Sequence, residues 1–149
     1  MKMVFLCMKH RTKLVESPQY ADAMWNRLML LAREKFDQMA WNDMFLMHGN
    51  AFEVATILLR HESASNDSVE RYVRTATEFA YSLRKSTYPS DLPLFIAMVK
   101  DALKEHGAQQ PLDTLLTPLT DVAFTPLNEV DLWMHTLFSA GANAEQTRH

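Results

Sequence analysis

Residues 68–85 read SVERYVRTATEFAYSLRK. Val69, Tyr72, Val73, Ala76, Phe79, Ala80 and Leu83 recur three or four positions apart and share one face of a helix. Glu70, Arg71, Arg74, Glu78 and Lys85 fall on the opposite, polar face, with Glu70 and Arg74 spaced for a helical ion pair. Asp67 followed by Glu70 supplies an N-terminal capping signal. Tyr88-Pro89 ends the run, because the residue before a proline avoids helical dihedrals.

The same signals recur on both sides of this segment. Upstream, Asn50 with Glu53 opens a helix over about 51–61 that is apolar nearly all round (Phe52, Val54, Ala55, Ile57, Leu58, Leu59), the mark of a central element. Residues 62–66 form a polar loop between the two helices. Further upstream, Ser17-Pro18 opens a helix that the pattern carries to about His48, with Gly49 as its stop and a bend near residues 40–43. Downstream, Ser90-Asp91 with Pro93 in the first turn opens a helix striped by Phe95, Met98, Val99, Ala102 and Leu103, and Gly107 closes it.

Pro111-Leu112-Asp113, Pro118-Leu119-Thr120 and Pro126-Leu127-Asn128 then repeat a proline-leucine-polar step. Each proline starts a helical turn and the next one stops it, which predicts one or two short turns over 111–124 as a connector. The third copy, announced by Thr125-Pro126, grows into a helix over about 126–140 with Val130, Trp133, Met134 and Leu137 on its stripe. Residues 142–149 read as a frayed tail.

The expected fold is therefore all-α: one domain over 1–149, an irregular bundle of about five helices with a proline-rich connector before the last. A chain of 149 residues suits one domain, and 48% hydrophobic residues supply its core. Three glycines are too few for the turns of a β-rich protein. Residues 1–16 form a basic arm of net charge +3, and residues 108–149 carry −4, so the two ends are suited to pair within a chain or between chains. The single cysteine, Cys7, allows no intrachain disulfide and fits a reducing compartment. No apolar run reaches the roughly 20 residues of a membrane span. The expected location is the cytoplasm.

Reaction machinery is not visible. The six histidines form no His-Glu-x-x-His pair, and one cysteine makes no zinc set, so no metal is expected. Gly49, Gly107 and Gly141 stand alone, without the loops that cradle phosphates, and no cofactor is expected. The sequence carries no nucleophile elbow. The chain reads as a non-catalytic protein rather than an enzyme.

What stands out is methionine: ten in all, half of them between Met24 and Met47 and interleaved with Trp25, Phe36, Trp41 and Phe45. Methionine adapts to varied partners. Around residues 39–47 apolar side chains occupy more than one helical face, which nominates Trp41, Met44, Phe45 and Met47 as a surface for a second copy of the chain or another protein. The alternative is a DNA-binding regulator built on the helix pair 51–85, reading a groove through Arg71 and Arg74. Its weaknesses are a long turn, acidic neighbours and a net charge of −3. An enzyme whose site is assembled only in three dimensions is the third reading.

Overall fold

A computed structural model describes the backbone of residues 8–61, 66–106 and 110–146, and side chains within them except those of 8, 9, 66 and 140–146. The described residues hold seven helices: α1 (Met8–Glu16), α2 (Pro18–Asp37), α3 (Trp41–His61), α4 (Asn66–Lys85), α5 (Leu92–Glu105), α6 (Leu112–Phe124) and α7 (Leu127–Gln146). The described residues are all-helical, as expected, but they hold seven helices rather than about five. The proline-rich segment is itself a helix.

Two start signals act as read. Ser17 caps α2, its hydroxyl accepting from the Tyr20 amide at 3.2 Å, with Pro18 at the first helical position. Asp91 caps α5 by accepting from the Leu94 amide at 3.0 Å. Helix α4 begins at Asn66, one residue ahead of the expected cap.

The long helix expected from 18 to 48 is broken at Gln38–Ala40, with no glycine or proline at the break. Ala40 N–H returns to the Lys35 carbonyl at 2.9 Å and Met39 N–H to that of Phe36 at 3.0 Å. This is a Schellman closure, which needs a left-handed residue, here Met39 at φ 54°. Met39 is 71% exposed, so nothing in the core depends on its side chain. Met39→Gly is expected to stabilise the protein by about 0.5–1 kcal/mol, the relief of left-handed strain exceeding the extra freedom of glycine in the unfolded chain. Urea unfolding of Met39→Gly beside Met39→Ala checks this; a loss of stability in the glycine variant would refute the strain argument.

Helix α3 then runs straight through the expected stop at Gly49 and start at Asn50. His48, Gly49, Ala51, Phe52 and Glu53 are all buried within it. Burial of α3 against both α2 and α4 outweighs the local preference of Gly-Asn for a helix end, worth only about 1 kcal/mol. Asn42 ties the start of α3 to the loop after α4, accepting from the Thr87 amide and donating to its hydroxyl, both at 2.9 Å.

Helix α4 is the central element, packing on α3, α5 and α6. Its buried surface is wider than one stripe: Ser68, Thr75, Glu78 and Ser82 join the apolar positions. Glu78, expected on the solvated face, is 3% exposed. The ion pair on this helix is Arg74–Glu78 at 3.0 Å, not Glu70–Arg74.

Pro118 sits inside α6 and removes one backbone hydrogen bond. The helix survives because Leu115, Leu116, Leu119, Val122 and Ala123, on both sides of the proline, bury against α4 and α5. At about 1.5–3 kcal/mol for each large buried side chain, they outweigh a proline cost of roughly 3 kcal/mol. Arg84 of α4 donates to the Val122 carbonyl at 2.9 Å and to that of Thr125, satisfying the open end of α6.

Part of the expected basic arm is helix α1, which packs on α2 and α3 through the fully buried Leu14; residues 1–7 lie outside the described residues. The tail expected to fray from 142 is helical through Gln146, and Gly141 falls inside α7. Residues 62–65, most of the expected polar loop, and the expected stop at Gly107 also lie outside the described residues. No described helix is long and apolar enough to cross a membrane.

Candidate functional site

The residues nominated for partner binding mostly turn inward. Met44 is fully buried and Phe45 is 8% exposed, its ring against Phe79 at 5.5 Å and stacked on Tyr88 at 4.7 Å. Trp41 and Met47 are half-buried against the same core. Trp41 sits edge-on to Phe36 at 5.9 Å and under the Lys85 ammonium at 4.3 Å. The apolar surplus of this segment is used because α3 is enclosed on several sides.

Arg71 and Arg74, nominated for DNA, are engaged within the chain. Arg71 pairs with Asp22 at 3.3 Å, Arg74 pairs with Glu78, and both guanidiniums lean on the Trp25 ring at 5.7 and 5.5 Å. Trp25 is fixed in turn by its indole N–H donating to the Thr75 hydroxyl at 2.9 Å. Charge committed to an acid of the same chain neutralises less phosphate.

Sequence reasoning missed a buried polar chain beneath these arginines. His48 Nδ1 hydrogen-bonds Ser82 Oγ, and His48 Nε2 lies 3.9 Å from Glu78 Oε1. The three residue types match a hydrolytic triad, yet His48, Ser82 and Glu78 are 1%, 0% and 3% exposed, so a substrate has no approach to the hydroxyl. Burial, and secondarily the Arg74 charge, depress the His48 pKa to about 3, so the ring is neutral. Burial pushes the Glu78 carboxyl up, opposed by Arg74 and Arg33. The Ser82 hydroxyl also lies 3.4 Å from the Glu78 carbonyl, so its single proton serves both that acceptor and the ring. This is a core network that locks α3 against α4, since partnered buried polar groups specify register.

Among the described residues, three of the exposed large hydrophobics gather on α7. Val130, Met134 and Phe138 face inward, Phe138 meeting Phe36 at 4.6 Å with Arg33 over its ring at 5.6 Å. Asp131 accepts from the Tyr81 hydroxyl at 2.8 Å and pairs with Lys85 at 3.3 Å. The helix is thus docked by large side chains. Its outer face carries Leu132, Trp133 and Leu137 at 68%, 45% and 51% exposure. At 100° per residue the three span an arc of about 140°, shared with Glu129 and Thr136. Of the stripe expected from the sequence, Val130 and Met134 face the core, joined by Phe138, whereas Trp133 and Leu137 point outward.

Among the described residues no group of three or more His, Cys, Asp or Glu is placed to hold a metal ion. Comparison with known protein families, with curated proteins and with solved structures returns no match to this chain.

Proposed function

We propose that this chain is a non-catalytic interaction protein that associates with a second copy of itself through the outer face of α7. The observation that carries the reading is the exposure of Leu132, Trp133 and Leu137 on adjacent turns of one helix. Tryptophan in a cluster of aliphatic side chains is characteristic of the residues that dominate binding energy. A face confined to one helix is suited to two-fold pairing, because an antiparallel copy presents the same side chains in return. Charge does not oppose it strongly: among the described side chains of α7 only Glu129 and Asp131 are acidic, and Asp131 is paired with Lys85. The same reading puts the protein in the cytoplasm, because a lone cysteine suits a reducing compartment.

Light scattering coupled to size exclusion tests the proposal. The wild type is expected at twice the 17.2 kDa chain mass, and Leu132→Ser/Trp133→Ser/Leu137→Ser at the single-chain mass with an unchanged helical circular-dichroism spectrum. A wild type that stays at the single-chain mass at submillimolar concentration overturns it.

A further inference from the structure

Helix α3 is covered by α2 on one side and α4 on another, which leaves a third face bearing Phe52, Glu53, Thr56, Ile57, Arg60 and His61. Helix α1 lies along one margin of that face and α5 along the other. They leave two adjoining cavities of about 170 and 230 Å³. Arg11 of α1 and Arg60 of α3 line both, and so join the two cavities. The inner cavity has an apolar floor of Phe52, Met98 and Ala102 beside the Tyr72 ring, with Glu53 and Thr56 on its wall.

The charge of this lining is positive. Arg11 and Arg60 outnumber its single acid, Glu53. The Arg60 charge reaches the buried Tyr72 phenol, where it opposes the rise in pKa that burial causes. The Thr56 hydroxyl is occupied by the Phe52 carbonyl at 2.8 Å, which leaves the arginines as the charged donors of the lining, with the Tyr72 phenol as a neutral one. A concave, mostly apolar site with a few convergent polar groups is the usual form of a small-molecule site, and paired guanidiniums suit a carboxylate.

We infer that the cleft between α1, α3 and α5 binds a small organic anion, its carboxylate held at the junction by Arg11 and Arg60 and its short apolar body over Phe52 and Met98. This site shares no residue with the outer face of α7 and does not rest on self-association.

Calorimetric titration of the full chain with octanoate, and with octanol as the uncharged counterpart, tests it. Octanoate is expected to bind at least about tenfold more tightly than octanol, the worth of one charge-assisted hydrogen-bonded contact. Arg11→Gln/Arg60→Gln replaces two exposed side chains, so the fold is retained, and is expected to weaken octanoate about tenfold while leaving octanol unchanged. Met98→Trp fills the inner cavity and is expected to block both. The triple serine variant of α7 is expected to bind octanoate as the wild type does. Absence of octanoate binding, equal affinity for the two probes, or binding that survives Met98→Trp each overturns the inference.

Discussion

Phe79→Ala is expected to destabilise the protein by about 3–5 kcal/mol, a large share of the total stability of a typical domain. Phe79 is fully buried on α4. Its ring lies 5.5 Å from Phe45 and 5.7 Å from Phe52, both of α3, and 5.5 Å from Phe95 of α5. Truncation therefore removes transfer energy, opens a cavity where three helices converge, and forfeits three ring contacts at once. Relaxation cannot close that cavity cheaply, because its walls belong to separate helices. Phe79→Leu retains most of the volume and is expected to lose less than half as much. Chemical denaturation of the pair, followed by circular dichroism, checks both. A loss under about 1 kcal/mol in the alanine variant would mean that these rings do not anchor the core.

The second large effect is a pH dependence assigned to His48. Its folded pKa is lowered to about 3 from the 6.5 of an ordinary imidazole, chiefly by burial. The unfolded chain therefore binds a proton below pH 6.5 that the folded chain refuses until about pH 3, and stability falls as pH falls through that window. Glu78 acts in the opposite sense. Its folded pKa is raised, so it binds its proton more readily when folded and adds stability as the solution becomes acidic. Arg74 and Arg33 face the same carboxyl and oppose that rise. The wild-type profile alone mixes these opposing trends. His48→Asn separates them, because an amide retains a hydrogen bond to Ser82 and has no proton to take up. Its stability relative to wild type is expected to improve by about 2 kcal/mol between pH 7 and pH 5, the free energy of a proton refused over 1.5 pH units. A difference that stays constant across that range would show that His48 is not held neutral by burial.

Much of the fold can be read from local chemistry, and the exceptions have identifiable causes. The hydroxyl of Ser17 ahead of Pro18, the carboxylate of Asp91 ahead of Pro93, and the 69-72-76-79-83 spacing each report a helix whose ends or faces are set by neighbouring residues. Three features answer to distant ones. Gly49 and Asn50 look like a helix boundary until α2 and α4 close on either side of them. Pro118 looks like a stop until leucines on both sides of it find α4 and α5. Met39 adopts a glycine conformation because the α2–α3 corner requires it, and nothing in a methionine announces that.

The polar core was less legible still. His48 and Ser82 are 34 positions apart, and Glu78 carries the composition of a surface residue. Its one local clue is its place four residues before Ser82 and one before Phe79, at the margin of the buried stripe. Likewise, the apolar surplus around Trp41 and Phe45 announces burial on several sides as readily as an interface. Only the neighbours of a helix decide between them.

The order of the helices along the chain also has a consequence for how the protein is made. The closest packing joins consecutive elements, α2 with α3 and α3 with α4. Contacts between sequence neighbours form in microseconds to milliseconds, whereas the ribosome adds only about 5–20 residues each second. Once Lys85 has left the exit tunnel, Trp25 has Thr75 and Phe45 has Phe79 to pack against while α5, α6 and α7 are still being translated. Among the described helices, the one whose outer face exposes Leu132, Trp133 and Leu137 follows the others in synthesis. It emerges onto a core that already holds Phe36 and Tyr81, its docking partners, and so spends little time with both of its faces open to neighbouring chains on a polysome.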